Sequence, residues 1–244
     1  MPAPPPFEAR LVSARTLGPS VRELTFERVD GQPAGFQPGQ WFNAILPVGP
    51  GEPISRSYSI ASEPDGSPRF ALAVTHVRGG PASTWLHELT VGAALRFVGP
   101  FGFFTRPAVG GPPSLMIATG TGVTPLRSMV RAAVLAGSQA PMWILLGVRH
   151  EEDLLYRDEF DALAREHACV RFEPTLSQGS AAWTGRRGYV QTHVRELWEA
   201  LRATGAGEPH AYVCGLERMV GSVRAMMKTE LGAPRQQVHG ERYD

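Results

Sequence analysis

The sequence predicts a two-domain protein of the β + α/β class, in which an antiparallel barrel or sandwich precedes a parallel α/β domain. Three observations predict this architecture. The 244 residues suffice for two domains of ordinary size. Up to about Phe104 the chain consists of short β-type runs separated by Gly and Pro, which is typical of an all-β domain. After about Ser114, short apolar strands alternate with helical stretches, which is typical of a parallel sheet covered by helices.

The first half contains the β-type runs 21–29, 41–46, 57–61, 70–77 and 95–98. Phe70, Leu72 and Val74 alternate with small or polar neighbours, which is the period of two expected for a strand with one buried face. A segment with three prolines and two glycines follows at 106–113 and is expected to be a linker.

The second half contains five candidate strands, at 114–118, 142–148, 170–175, 211–214 and about 236–240. Between the third and fourth strands, apolar side chains lie on one face of a predicted helix and are expected to face the core: Val190, Val194, Leu197, Trp198 and Leu201. Open parallel sheets bind ligands beyond the carboxyl ends of their strands, so a binding site is expected in the crevice between the two domains.

Composition excludes several classes of function. The 24 Lys and Arg residues nearly balance the 23 Asp and Glu residues, so the chain lacks the global positive field of most nucleic-acid-binding proteins. Cys169 and Cys214 are the only cysteines, too few for a disulfide framework, a four-thiolate zinc site or a cluster held by four thiolates, and no metal site is expected. No secretory signal and no apolar run of about 18 residues is visible, so we expect a cytoplasmic protein without a membrane contact.

A glycine turn follows the first strand of the second half. Gly120 and Gly122 stand between that strand and a helical stretch, where they allow the backbone to approach a pyrophosphate at a helix N-terminus. Pro125 suits the first position of the helix. Because Pro125 also stands where a third glycine would complete the dinucleotide fingerprint, a tight connection without a ligand is the alternative interpretation.

A second polar motif lies on a strand of the first half. On a strand, Arg56 and Tyr58 face one way and Ser57 and Ser59 the other. Arginine suits a phosphate and tyrosine suits stacking on a planar ring, although an exposed edge strand would also carry such residues. A further glycine turn at 79–80 opens a short predicted helix and indicates a second anion site.

Taken together, these segments resemble the ferredoxin–NADP reductase family over almost the whole chain. The motifs follow the family's order: residues 36–40 (FQPGQ), 56–59 (RSYS), 80–83 (GPAS), 99–102 (GPFG), 120–125 (GTGVTP), 212–215 (YVCG) and 241–243 (ERY). The resemblance implies a six-stranded antiparallel Greek-key barrel that binds FAD at 1–106, a linker at 107–113 and a five-stranded parallel α/β domain that binds NAD(P) at 114–244. The chain continues past the family's terminal aromatic residue by Asp244.

The resemblance also implies which barrel residues bind FAD. Arg56 would bind the pyrophosphate, Tyr58 would pack against the isoalloxazine ring, and Ser59 would form a hydrogen bond near N5. The remaining implied FAD contacts are Ser57 of the same segment and Thr75 and Val77 from the neighbouring strand. The turn of Gly80, Pro81, Ala82 and Ser83 would hold the pyrophosphate through its backbone N–H groups, which proline lacks.

In the second domain, the resemblance implies that the pyridine nucleotide's pyrophosphate lies on Gly120, Thr121 and Gly122. Cys214 would lie near the nicotinamide and Glu241 near the site of hydride transfer, while the ring of Tyr243 would cover the flavin. With Ser59, these three are the expected catalytic residues, and none of them is expected to act as a covalent nucleophile.

The segment after the third strand indicates the choice of cofactor. Family members specific for NADP recognise the adenosine end there, and the matching residues are Ser177, Arg187, Tyr189 and Gln191. Arg186 is a further candidate contact beside them, although a solvated loop would also carry Arg186 and Arg187. Gln178 stands where such enzymes usually have arginine, and Arg149 could substitute for it. We therefore expect NADP(H), with NAD(H) as the alternative.

These residues predict an FAD-dependent oxidoreductase that transfers hydride between NADPH and flavin N5. Because the chain lacks four thiolates, it carries no cluster of its own, and its electrons would leave singly to a separate partner. The resemblance implies that this partner is an acidic ferredoxin or flavodoxin. The candidate docking cations are Arg15, Arg22, Arg78, Arg96 and Arg106. Alternatives are the reductase component of an oxygenase, a flavin or ferric reductase, and a flavin-binding subunit of a larger complex. A monomer is expected.

Overall fold

The computed structural model describes residues 4–49 and 51–243, and its first half is a six-stranded antiparallel barrel. Its strands are β1 (Phe7–Gly18), β2 (Val21–Arg28), β3 (Trp41–Leu46), β4 (Ile54–Ser59), β5 (Arg69–Thr75) and β6 (Ala94–Phe101), in the spatial order β4-β3-β6-β1-β2-β5. A bridge between Ile60 and Leu72 joins the two ends of this order. The predicted six-stranded Greek-key barrel is confirmed.

The sequence-based prediction omitted the longest strand of the barrel, β1. Its first residues nevertheless alternate, with Phe7, Ala9 and Leu11 buried and Glu8 and Arg10 exposed. The period of two was therefore visible in the sequence. The barrel interior is filled by aromatic rings that contact one another edge to face or stacked: Phe7, Phe26, Phe42, Phe70 and Phe97. Helix α1 (Pro81–Glu88) covers one end and buries Leu86 against this core.

The second half is a parallel sheet with helices on its faces. Its order is β10-β9-β8-β7-β11-β12, with strands β7 (Ser114–Thr119), β8 (Met142–Val148), β9 (Val170–Leu176), β10 (Arg186–Arg187), β11 (His210–Leu216) and β12 (Val238–Tyr243). The helices are α2 (Val123–Leu135), α3 (Arg157–Glu166), α4 (Gln191–Ala203) and α5 (Glu217–Thr229). The predicted five-stranded parallel α/β domain is confirmed, and the two-residue β10 extends its edge.

The connection between the two sheets is held by a buried arginine. β6 ends at Phe101 and β7 begins at Ser114, so the connection comprises residues 102–113. The exact domain limits, 1–106 and 114–244 with a linker at 107–113, stay a prediction. Arg106 is 1% exposed and donates to Ser114 Oγ at 2.8 Å and to the Pro112 carbonyl at 2.9 Å. The expectation that Arg106 is a surface docking cation is therefore wrong. Residues 1–3 and Asp244 lie outside the described residues. The prediction that no secretory signal is present rests partly on residues 1–3.

Two expected absences can be examined in the part of the chain that the structure describes. No helix there has the length and apolar character needed to cross a membrane. No group of three or more His, Cys, Asp or Glu side chains within 4–49 and 51–243 is arranged to hold a metal ion.

Candidate functional site

A cavity of about 650 Å³ lies at the carboxyl ends of the parallel strands, where the barrel faces the second sheet. The barrel contributes Thr75 and the turn between β1 and β2 to its wall. Thr75 Oγ1 and Thr121 Oγ1 lie 3.3 Å apart and join the two domains across the cavity. The position agrees with the rule that open sheets bind ligands beyond the carboxyl ends of their strands.

The glycine turn after β7 forms the floor of the cavity. Gly120 has a φ of +53°, and the turn at Gly120–Gly122 leads directly into α2. A Cβ on Gly122 would lie 2.3 Å from the Cys214 carbonyl oxygen, so only glycine fits there. Pro125 is the third residue of α2 and not the first as expected; proline is tolerated there because the first N–H groups of a helix have no partner within the helix.

The cavity contains polar atoms without partners. Thr119 Oγ1 and Gln191 Oε1 both belong to residues of the cavity wall and are buried with no hydrogen-bond partner within the described residues. Native proteins rarely leave such atoms unpaired, unless a ligand supplies the partner. The first turn of α2 holds no acidic residue and no side-chain cap, so its N-terminus can attract an anion. The cavity therefore fits the phosphates and hydroxyl groups of a dinucleotide.

The barrel presents an unusual polar strand, β4. Residues 55–57 of β4 are all exposed, although strands of a closed barrel normally bury every second residue. Ser57 Oγ donates to Asn43 Oδ1 at 2.9 Å, and Arg56 extends from the same strand with its side chain exposed. The ring of Tyr58 is half-buried, and burial raises its pKa to about 12. These side chains provide a cation and a flat neutral ring on one surface.

Helix α1 offers an open N-terminus near the end of β5. Its N-cap is Gly80, which provides no side-chain cap, and the first turn contains no acidic residue. Ser83 Oγ accepts from Val77 N at 3.0 Å and donates to the Gly80 carbonyl at 3.1 Å. The serine hydroxyl thus shapes the loop, which leaves its backbone N–H and that of Ala82 for an anion. Val77 is 58% exposed, an apolar side chain that a bound ring could cover.

Four side chains converge where the two domains meet. Ser59 Oγ, at the end of β4, donates to Glu241 Oε1 on β12 at 2.9 Å. Cys214 lies beside Glu241 in the register of β11 and β12 and is fully buried. Tyr243 Oη lies 3.3 Å from Thr124 Oγ1 in the first turn of α2. The structure therefore brings together the four residues for which a catalytic role is expected.

Burial keeps the Cys214 thiol and the Tyr243 hydroxyl of this group neutral. It raises the pKa of the Cys214 thiol well above its usual value, and the neighbouring Glu241 carboxylate raises it further. Burial likewise raises the pKa of the Tyr243 hydroxyl well above its usual range. A neutral thiol is a poor nucleophile, which agrees with a positioning function of Cys214 and not with covalent catalysis. Burial also raises the pKa of Glu241, against the hydrogen bond from Ser59 that lowers it.

The raised pKa of Glu241 predicts a pH-dependent stability. Because the folded state disfavours the charged carboxylate, the contribution of Glu241 to stability is greatest below the unfolded pKa of 4.5 and is lost as pH rises through the folded value. Glu241→Gln cannot ionise, so we expect its Tm at pH 8 to exceed the wild-type Tm by about 2–4 °C. Calorimetry from pH 4 to pH 8 measures this difference, which should vanish near pH 4. The exposed Glu208→Gln is the control, and a Tm of Glu241→Gln below wild type at pH 8 would contradict the argument.

The residues expected at the adenosine end fall into two groups. Arg149, Ser177, Tyr189 and Gln191 line the cavity, and Tyr189 is 72% exposed, as a ring available for stacking would be. Gln178 lines it as well.

Arg186 and Arg187 form the second group and are not part of the cavity wall. Arg186 forms ion pairs with Glu173 at 2.6 Å and Glu196 at 2.8 Å, so its charge is already neutralised. Arg187 donates to the carbonyls of Gly179, Ser180 and Trp183, at 2.7–3.0 Å. The cofactor contacts of these two arginines stay a prediction, which their present contacts disfavour.

Two parts of the cavity wall were not anticipated from the sequence. Arg218, in the first turn of α5, lines the cavity, as do Met219 and Ser222 of that helix. Pro19 and Ser20, in the turn between β1 and β2, face it from the barrel. The position of Arg218 four residues after Cys214 was an available signal, because the helix after a ligand-binding strand begins at the same edge of the sheet.

Comparisons with known proteins agree with this arrangement. A model of the oxidoreductase FAD-binding domain matches residues 8–105, and a model of the oxidoreductase NAD-binding domain matches residues 116–225. The chain is 59% identical over 240 residues to ferredoxin–NADP reductase B of Sorangium cellulosum (strain So ce56), covering 98% of both proteins.

More distant relatives include the phenol hydroxylase P5 protein of Acinetobacter pittii (strain PHEA-2), with 28% identity over 242 residues. That match covers 97% of this chain and 65% of the relative. Among solved structures, the ferredoxin reductase in carbazole 1,9a-dioxygenase has a TM-score of 0.83 at 24% identity, over 100% of this chain and 71% of the other. At that identity, the likeness concerns the fold.

Proposed function

This chain belongs to the ferredoxin–NADP reductase family, and on that premise we propose that it transfers hydride from NADPH to FAD and passes the electrons singly to a separate ferredoxin. The observation that carries the proposal is the 59% identity, over 98% of both chains, with a relative named ferredoxin–NADP reductase B. Three features support it: the barrel carries an FAD-type polar surface, the second sheet carries a dinucleotide-type cavity, and Ser59 of the barrel donates a hydrogen bond to Glu241 of the second domain.

The residues of the chain bind and align the two cofactors. FAD would supply a ring that accepts hydride at N5, and the pyridine nucleotide would supply that hydride from C4, a transfer of two electrons. We assign the flavin pyrophosphate to Arg56 and the N-terminus of α1, and the ring to Tyr58. The Ser59 hydroxyl of the barrel and the neutral Cys214 thiol of the second domain would lie near the reacting atoms, and Tyr243 would cover the flavin ring.

A preference for NADPH follows from the cations of the cavity wall. Arg149 and Arg218 are exposed there, and neither forms an ion pair within residues 4–49 and 51–243, unlike Arg186. A 2′-phosphate would supply the missing anion. Tyr189 would stack on the adenine, and Ser177 would add a hydroxyl donor.

Arg149→Ala is expected to lower kcat/KM for NADPH by about 10- to 100-fold, which corresponds to the loss of one charge-assisted contact. The value for NADH should stay within about twofold, because NADH has no 2′-phosphate. Steady-state kinetics with both nucleotides and an artificial acceptor provides the measurement. Arg202→Ala, at the exposed end of α4, is the matched control. A wild-type preference of tenfold or more for NADH would contradict the assignment.

The acceptor is tested by a comparison of electron carriers. We expect the NADPH-reduced protein to reduce a ferredoxin faster than an oxygenase component, free flavin or a ferric chelate. Faster reduction of one of these three would favour the corresponding alternative. Rapid turnover of the isolated chain on an artificial acceptor would argue against a subunit that acts only inside a larger complex. Three further points stay predictions: flavodoxin as an additional acceptor, the monomeric state and the cytoplasmic location. Sedimentation of the purified protein tests whether it is a monomer.

A further inference from the structure

Side chains of helix α2 form hydrogen bonds with the barrel segment that follows the polar strand β4. Arg127 NH1 donates to the Ala61 carbonyl at 2.7 Å, and Ser128 Oγ donates to the Ser62 carbonyl at 2.6 Å. Arg127 is buried, so this contact is shielded from water. Both bonds run from the nucleotide domain to backbone atoms of the barrel, and they fix the path of that segment.

The next turn of α2 continues the connection with ion pairs. Arg131 donates from Nε and NH2 to the two carboxylate oxygens of Glu63, at 2.5 and 2.6 Å. Glu159 of α3 lies between the two arginines and accepts from Arg127 and from Arg131. Such bidentate arginine–carboxylate pairs fix the relative orientation of the two side chains as well as their distance. We call these residues the interdomain clamp: Ala61, Ser62, Glu63, Arg127, Ser128 and Arg131.

The clamp joins the two segments that carry the cofactor sites. On the barrel side, Ala61 follows Ser59 by two residues. On the other side, α2 begins directly after Gly122, the end of the glycine turn. A displacement of α2 relative to β4 would therefore change the distance between the nicotinamide and the flavin ring. Misplacement of reacting atoms by about 1 Å can cost about 100-fold in rate.

A strained residue supports a functional importance of this region. Tyr156 has a φ of +58° and is the non-glycine residue with positive φ within the described residues. Its hydroxyl donates to Glu23 Oε2 of the barrel at 2.7 Å, and the Arg127 guanidinium lies 4.4 Å from the centre of its ring. Backbone strain of this kind persists where surrounding contacts hold it, and it is concentrated at functional sites.

We propose that Arg127 and Arg131 are positioning residues for hydride transfer, which hold the flavin-bearing strand and the dinucleotide-binding helix at the separation that the reaction needs. The inference rests on the proposed function. The step itself breaks the C4–H bond of the nicotinamide and forms an N5–H bond on the flavin, and the two electrons of the hydride pass from the first ring to the second. The clamp contributes geometry alone, and none of its residues lines the cavity between the domains.

Arg131→Met tests the proposal, because Arg131 is partly exposed and its loss should leave the fold intact. Stopped-flow mixing with NADPH gives the limiting rate of flavin reduction and the Kd for NADPH. We expect the limiting rate to fall at least about tenfold, with the Kd and the FAD content within about twofold. Arg131→Lys keeps a cation opposite Glu63 and should recover most of the rate. Hydrogen exchange should rise in segment 61–63 of Arg131→Met and not in the lysine variant.

Glu230→Gln is the matched control, because it breaks the Arg195–Glu230 ion pair of 2.8 Å inside the nucleotide domain. It should change none of these quantities. Glu63→Gln, a smaller change on the other side of the clamp, should reproduce the loss of rate. A wild-type limiting rate in Arg131→Met, or a loss explained by weaker binding of either cofactor, would overturn the inference. If NADPH fails to reduce the flavin of the wild-type protein, the proposed function itself is wrong.

Discussion

Replacing Gly122 with alanine is expected to lower kcat/KM for NADPH by at least about 100-fold while the protein still binds FAD. The added Cβ would lie 2.3 Å from the carbonyl oxygen of Cys214 and 2.6 Å from its carbonyl carbon. Both are backbone atoms of a central strand, so the glycine turn must move instead. That movement would displace Gly120 and Thr121, at which the pyrophosphate is expected to bind. Steady-state kinetics and the flavin absorbance of the purified variant measure the two quantities.

Gly221→Ala is the matched control for this substitution. Gly221 lies in α5, and a Cβ built there meets no atom within 4 Å. Alanine also favours a helix by about 1 kcal/mol over glycine, so this variant should keep wild-type kinetics and be at least as stable. Wild-type kcat/KM in Gly122→Ala would show that the turn after β7 does not contact the pyridine nucleotide.

Replacing Cys214 with alanine is expected to lower kcat by about 10- to 100-fold, with KM for NADPH changed by less than about threefold. The thiol is buried beside Glu241, and its loss leaves space in which the nicotinamide and the carboxylate can shift. The substitution should leave the contacts of the NADPH phosphates unchanged, because these are expected at the glycine turn and not at Cys214. The loss is therefore expected in the chemical step, which single-turnover reduction of the flavin measures.

The second cysteine provides the control for Cys214. Cys169 lies at the other end of the sheet, where its thiol contacts the Ser138 carbonyl at 3.4 Å. Cys169→Ala should keep wild-type kcat and KM. Unchanged turnover of Cys214→Ala with saturating NADPH would remove this residue from the reaction centre.

Much of the fold could be predicted because hydrophobic periodicity and glycine turns are local properties of the sequence. The five long strands of the second sheet and the buried face of α4 are examples. β10 has two residues and pairs through Arg186 and Arg187, so no periodic pattern could predict it. β1 has a clear period of two and was predictable, although the prediction omitted it.

The site could be predicted only in part, because its geometry depends on contacts between distant residues. Ser59 and Glu241 are 182 positions apart, and only the order of motifs suggested that they meet. The ion pairs of Arg186 depend on neighbours that the sequence does not reveal. The clamp on α2 was not anticipated, since an arginine on a helix is as often a solvated surface residue as an interdomain contact.

We infer that two cofactors are held face to face between the domains, near Ser59 and Glu241. Anaerobic rapid mixing of the FAD-loaded wild-type protein with NADPH tests it most directly. We expect the yellow absorbance to be bleached within the time of one turnover and to return when oxidised ferredoxin is added. A protein that binds no FAD, or whose bound flavin stays oxidised with NADPH and with NADH, would contradict it.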